Sequence, residues 1–192
     1  MLWFTSRFSL LGLLIPCVAL AHTGVGETTG FVHGLTHPIS GVDHLLAMVA
    51  IGMWAIQIGG RGMWVLPACF VSMMIIGSIL GFSGIPVPFI EEGILASILI
   101  LGILIAAAFK SPLVYSAVIA GIFAIFHGYA HGAEMPATSG TATYMFGFTC
   151  STALLHLSGL GIGALLQATN LKIVGRFAGG AVALGGIYLA VV

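Results

Sequence analysis

The residues best suited to chemistry in this chain are histidines and carboxylates that stand together in an otherwise apolar sequence. The first cluster contains His37, Asp43 and His44, with His33 one helical turn before it and Met48 one turn after it. Imidazole and carboxylate groups bind divalent transition metals, and an ionisable residue inside an apolar segment is costly enough to indicate function. This cluster therefore predicts a metal site.

A break in the helix is expected in the middle of this cluster. Pro38 lacks a backbone hydrogen-bond donor and Gly41 weakens the helical turn, so the chain should kink between them. The kink would turn Asp43 and His44 toward His37. It would also free backbone carbonyls as further ligands where the chain lines a cavity.

The second cluster contains His127, His131 and Glu134, whose i, i+4, i+7 spacing places them on one face of a helix. Two imidazoles one turn apart can chelate a single divalent ion. In the transmembrane arrangement that the apolar segments predict (below), both clusters fall toward the outer side, so we expect them to converge. The predicted metal ligands are His37, Asp43, His44, His127, His131 and Glu134.

Five further residues are candidates for a metal path that leads to and from these ligands. His22 and Glu27 precede the first helix, His33 and Met48 flank the first cluster, and His156 lies deeper in a later apolar segment. For His156, a hydrogen-bonded packing role is an equal alternative. Met48 is more often a core residue than a ligand.

Ligand chemistry narrows the ion without deciding it. Imidazole with one or two carboxylates suits nickel, cobalt, zinc or copper(II), whereas oxygen-only sites suit magnesium or calcium. The thiolates expected for copper(I) are absent from both clusters. The expected partner is thus a divalent metal ion carried as substrate, with Zn2+ not excluded, and no organic cofactor is expected.

The elements that must position these residues are apolar helices. Of 192 residues, 59% are hydrophobic and 5% are charged, so lipid must cover most of the surface. Residues 1–21 have the positive start, apolar stretch and A-x-A end of a cleavable signal peptide. Residues 22–192 are then expected to form a single all-α domain, a polytopic bundle of six transmembrane helices in the lipid bilayer. The predicted segments are 30–58, 62–82, 90–109, 113–132, 142–167 and 173–191.

Charge placement orients this bundle. Arg61, Lys110, Lys172 and Arg176 all fall in loops on one side, which the positive-inside rule makes cytoplasmic. Both ends of the mature chain are then outside, and the location is the inner membrane. The five basic and five acidic residues cancel, so no nucleic-acid partner is expected. Glycine-rich helix faces leave a homo-oligomer open.

The two clusters together resemble the signatures of the HupE/UreJ family of bacterial nickel/cobalt permeases. The segment from His37 to Met48 is similar to the family's HPxxGxDHxxxM motif, and the segment from Phe126 to Glu134 to its FHGxxHGxE motif. The size, signal peptide and number of helices agree, so the resemblance covers the whole chain. It implies uptake of Ni2+, or in some members Co2+, across the inner membrane for hydrogenase or urease maturation.

A metal-dependent hydrolase inside the membrane is the alternative function. Its histidines would hold zinc and a carboxylate would activate water, which requires one compact site with an open position. Ligands spread over several depths favour transport instead. The chain has no GxxxxGK[ST] phosphate-binding motif, so we expect a secondary transporter that does not hydrolyse ATP, and not an enzyme.

Overall fold

The computed structural model describes residues 30–137 and 139–192, and within these ranges every regular element is an α-helix. The predicted signal peptide, His22 and Glu27 lie outside the described residues. The seven helices are α1 (Gly30–Ser40), α2 (Val42–Ile58), α3 (Gly62–Phe82), α4 (Ile90–Ala106), α5 (Leu113–Ala133), α6 (Thr141–Ala168) and α7 (Lys172–Leu189).

The first apolar segment is two helices rather than one. The axes of α1 and α2 are bent by 79° at Gly41, whose backbone is extended, and Pro38 lies in the last turn of α1. The predicted kink is therefore confirmed. It brings the end of α1 and the start of α2 to the same place in the fold, which allows His37 and His44 to face a common centre.

Several of these helices have the length and apolarity needed to cross a membrane. Among the described residues α3, α5 and α6 qualify by themselves, and the bent pair α1–α2 would be a fourth span. The helix bounds follow the predicted segments closely, except that α4 ends at Ala106 instead of residue 109 because the backbone turns left-handed at Ala108, with φ 51°. The count of six spans and the orientation of the ends stay predictions.

Glycine residues bring the helix backbones into direct contact. Between α3 and α5, a side chain at Gly77 or Gly81 would collide with a backbone carbonyl of α5, and one at Gly128 or Gly132 with a carbonyl of α3. The same interlocking joins α1 to α6 through Gly34 and Gly147, α2 to α6 through Gly52 and Gly159, and α4 to α7 through Gly102 and Gly179. These glycines therefore serve packing within the chain. A homo-oligomer stays a prediction.

The core of the bundle surrounds the histidines. Its largest fully buried side chains include Trp54, Phe70, Tyr144 and Phe148, which come from α2, α3 and α6. Phe148 stacks on the ring of His131, with centroids 4.9 Å apart and planes 5° from parallel. Aromatic packing thus holds part of the histidine cluster in place.

Candidate metal centre

Three histidines from three helices meet at one point. His37 comes from the end of α1, His44 from the first turn of α2 and His131 from the last turn of α5. Each offers one ring nitrogen, and these nitrogens lie within 4.8 Å of one another. Two nitrogens bound tetrahedrally to one ion at about 2.0–2.1 Å lie about 3.4 Å apart, so the widest pair of donors would have to close by up to about 1.4 Å. We call these residues the three-histidine group.

Three ring nitrogens of this group, on His44 and His131, are buried without a hydrogen-bond partner among the described residues. His131 is fully buried, and neither of its ring nitrogens has a hydrogen-bond partner within the described ranges. The Nε2 atom of His44 is likewise buried without a hydrogen-bond partner in the described residues. Leaving a buried polar atom unpaired costs about 1–3 kcal/mol, which a bound metal ion would relieve. The donor chemistry therefore fits a metal ion at this point.

Asp43 fixes the ring of His44. Its Oδ1 accepts hydrogen bonds from the His44 backbone N–H at 2.7 Å and from Nδ1 of the ring at 2.8 Å. Because an ionised carboxylate only accepts hydrogen bonds, Nδ1 carries the proton and the Nε2 lone pair is left for a metal. Asp43, which was predicted as a metal ligand, lies outside the three-histidine group and instead orients the ring of His44.

Gly41 makes room for this pair. A methyl group at position 41 would lie 2.8 Å from Oδ1 of Asp43 and 3.4 Å from Nδ1 of His44. The glycine is therefore required by the side chains that follow it, as well as by the bend between α1 and α2.

Glu134 connects the end of α5 to α1. Its Oε2 lies 3.3 Å from Nε2 of His37, and both side chains are partly exposed to solvent. The pair stands at the rim of the three-histidine group, where a carboxylate would draw a cation inward.

His127 stands beside the three-histidine group but outside it. It lies one turn before His131 on α5, is fully buried, and its ring is 4.8 Å from that of His44. The hydroxyl of Ser97 donates to the carbonyl of Ile94 at 2.6 Å and lies 2.8 Å from Nε2 of His127. When the Ser97 hydroxyl donates to Ile94, its oxygen accepts from Nε2–H of His127, and the lone pair of that ring is then on Nδ1. Nδ1 has no partner among the described residues.

His156 occupies a separate buried position on α6. Its ring is edge-on to Phe70 at 5.1 Å, and Phe70 in turn contacts the ring of His127 at 5.8 Å. Neither ring nitrogen has a hydrogen-bond partner in the described part of the chain, so the structure does not support a hydrogen-bonded packing role. The hydroxyl of Thr152, one turn earlier, faces Sδ of Met74 instead, at 3.5 Å.

Met48 and His33, two other residues predicted to line a metal path, lie near the three-histidine group but outside it. Met48 is fully buried in the apolar core, in agreement with the packing alternative. His33 lies one turn before His37 on α1 and is partly buried. Both are therefore neighbours of the three-histidine group along their helices, without being members of it.

Comparison with known proteins decides the family. The family model described as HupE / UreJ protein matches residues 10–189. The chain belongs to the HupE/UreJ family. It is also 43% identical over 183 residues to Protein HupE of Rhizobium leguminosarum bv. viciae, covering 95% of each chain. No solved structure matches it.

This membership confirms the resemblance drawn from the two motifs, and it does not favour the hydrolase alternative. Within this HupE/UreJ chain, the motif residues converge from α1, α2 and α5 as their spacing indicated. Ser97 is not among the residues predicted from the sequence, because it belongs to neither cluster. The one signal for it is a polar side chain in the middle of the apolar run of α4.

Replacing Ser97 with alanine should loosen the tautomer of His127. Without the hydroxyl, Nε2 loses its acceptor and the proton can move to Nδ1, which removes the lone pair offered to a metal. We expect 15N spectra of histidine-labelled protein to show a single tautomer for His127 in the parent and a mixture in Ser97→Ala. Nickel binding should weaken about tenfold, as for other partners that orient a ligand.

Ser78→Ala is the matched control for this variant. Ser78 is equally buried, but its hydroxyl donates only to the carbonyl of Ile75 in its own helix. An unchanged His127 spectrum in Ser97→Ala would show that the serine does not set the tautomer.

Proposed function

We propose that this chain carries a divalent transition-metal ion into the cell, Ni2+ first and Co2+ second, without hydrolysing ATP. The observation that supports this most directly is the three-histidine group, in which ring nitrogens from α1, α2 and α5 lie within 4.8 Å of one another. Within the described residues, Nε2 of His44 and both ring nitrogens of His131 are buried without a hydrogen-bond partner. Such nitrogens replace the water that a transition-metal ion loses when it enters an apolar bundle.

The ion would enter at the end of the bundle where the carboxylates lie. Glu134 is at the end of α5, and Glu91 and Glu92 are in the exposed first turn of α4. Negative charge at a mouth raises the local concentration of cations. His22, Glu27 and His33 would collect the ion there before it reaches the three-histidine group. With the positive-inside orientation, this mouth faces away from the cytoplasm of a bacterial inner membrane.

Two further histidines would receive the ion after the three-histidine group. His127 offers Nδ1 one turn along α5, and His156 offers a ring without partners on α6. Phe70 contacts both rings, so the ion would have to pass this aromatic side chain to move from one to the other. Ligands at successive positions suit an ion that moves, whereas a hydrolase needs one site.

The carboxylates also argue against the hydrolase. A general base must be able to reach a metal-bound water, yet Asp43 is hydrogen-bonded to His44 and Glu134 pairs with His37. Both carboxylates closest to the histidines therefore serve the histidines themselves.

Purified protein in liposomes tests this function. We expect nickel to accumulate inside, with a rate that saturates, with no ATP present and with cobalt entering more slowly; the metal is measured by mass spectrometry after the vesicles are separated from the medium. Nickel entry equal to that of protein-free liposomes would overturn the transport proposal. Faster entry of zinc than of nickel would overturn the choice of ion alone.

A further inference from the structure

A second charged site lies at the opposite end of the bundle from the histidines. A cavity of about 280 Å³ opens between α2, α6, α7 and the chain that follows α4. Three of its lining residues are cationic, namely Lys110, Lys172 and Arg176. We call it the basic pocket.

The side-chain carboxylates of the described residues lie at the opposite end of the bundle from this pocket. On α4 the acidic residues are in the first turn, whereas Arg176 of the pocket donates from Nε to the carbonyl of Ala106 at the last turn, 2.7 Å away. A helix of this length spans roughly 25 Å at 1.5 Å per residue. The described carboxylates, all at the far end, are Asp43, Glu91, Glu92 and Glu134.

The charges of the pocket are thus unbalanced within the structure. The ion pairs among the described residues both join a histidine to a carboxylate at the far end. In the described ranges, neither the side chain of Lys110 nor that of Lys172 makes a hydrogen bond or an ion pair. Lys172 also lies at the first position of α7, where the helix dipole adds positive potential. Three cations around one cavity favour an anion with several acceptor oxygens.

The uncharged wall of the pocket indicates what the anion is attached to. Met53 and Leu166 line it with apolar surface. Gln57 donates from Nε2 to the carbonyl of Ile105 at 3.2 Å, and its buried Oε1 has no partner among the described residues, so it can accept from a hydroxyl. A phospholipid has a part for each of these surfaces. Its phosphate would face the three cations, a hydroxyl of its headgroup would reach Gln57, and its acyl chains would lie against Met53 and Leu166.

We propose that the basic pocket binds a phosphate group, and that this phosphate belongs to an anionic phospholipid. Basic pockets between membrane helices on the cytoplasmic side bind anionic headgroups, and the positive-inside orientation puts this pocket on that side. The proposal is independent of metal transport. A failed lipid test leaves the histidine site untouched, and a failed nickel test leaves the pocket untouched.

Native mass spectrometry of the purified full chain in detergent tests this assignment. Phosphatidylglycerol and phosphatidylcholine with the same acyl chains are added separately. We expect one phosphatidylglycerol to be retained in preference to phosphatidylcholine. Lys110→Gln and Lys172→Gln should each weaken retention about fivefold, as expected for one basic residue near an anionic headgroup.

Arg61→Gln is the control that separates a pocket from a general excess of positive charge. Arg61 is an exposed basic residue in the turn after α2, at the same end of the bundle, and it does not line the pocket. The Arg61→Gln variant should retain phosphatidylglycerol as the parent protein does. Equal losses in Arg61→Gln and the lysine variants would overturn the proposal, and so would equal retention of the two lipids.

Inorganic phosphate distinguishes the two sources of the same chemical group. If millimolar phosphate itself binds and displaces phosphatidylglycerol, the lipid assignment is wrong. Retention of the lipid in its presence supports it. Helical circular dichroism and the melting temperature, measured on each variant, show whether a variant that loses the lipid has kept its fold.

Discussion

Replacing His131 with phenylalanine is expected to eliminate nickel binding at the three-histidine group and to reduce nickel uptake to the level of protein-free liposomes. The variant keeps an aromatic ring stacked on Phe148 but removes both nitrogens, neither of which has a hydrogen-bond partner within the described chain. Losing a ligand should cost more than the roughly 10–100-fold that is lost with a residue that only orients one. Isothermal titration with nickel and the liposome assay measure the two effects.

The fold should survive this change, because it removes buried polar atoms that are not paired. The melting temperature of His131→Phe should equal or exceed that of the parent when no metal is present. Tyr144→Phe is the matched control, since its hydroxyl is also buried without a partner among the described residues but lies on a ring that offers no nitrogen. Nickel binding of parental strength in His131→Phe would remove this residue from the site.

Replacing Asp43 with asparagine should separate the two tasks of its carboxylate. The amide oxygen still accepts the Nδ1 proton of His44, so the ring stays in the same tautomer, while the negative charge that offsets a divalent ion is gone. Asp43→Ala loses both the acceptor and the charge. We expect nickel affinity to fall about tenfold in the asparagine variant and about 100-fold in the alanine variant, measured by titration and by uptake.

Glu92→Gln serves as the control for charge. Glu92 is an exposed carboxylate in the first turn of α4, at the same end of the bundle, and its side chain makes no ion pair in the described part of the structure. If Asp43→Asn changed nickel affinity no more than Glu92→Gln does, charge at position 43 would have no special role. If the asparagine and alanine variants were equal, the tautomer argument for His44 would be wrong.

Most of the helix bounds could be predicted from sequence because the apolar runs are separated by glycine, proline and short polar stretches. The segment 62–82 coincides with α3, and the expected break near Pro38 separates α1 from α2. The end of α4 could not be predicted in this way. Residues 107–109 are as apolar as the helix before them, and only the left-handed backbone at Ala108 ends it.

The candidate site was predictable in its membership but not in its grouping. Spacing put His127 and His131 on one face of a helix, yet the closest group takes His131 together with His37 and His44. Which of two residues on a face comes nearest to another helix depends on how the helices are rotated against each other, and a single sequence does not encode that directly. Ser97 could not be predicted either, since its contact with His127 is between two helices and depends on how they are rotated. Metal binding by all of these residues stays a prediction.

The interlocked glycines have a mechanical consequence for the three-histidine group. Backbone contact ties α1 and α2 to α6, and separately ties α3 to α5. His37 and His44 belong to the first set and His131 to the second, so the three rings meet where the two sets of helices adjoin. Backbone contact opposes sliding within either set. A small displacement of one set against the other would change the distance from His131 to both other rings at once, and would thereby assemble or open a metal site in a single motion.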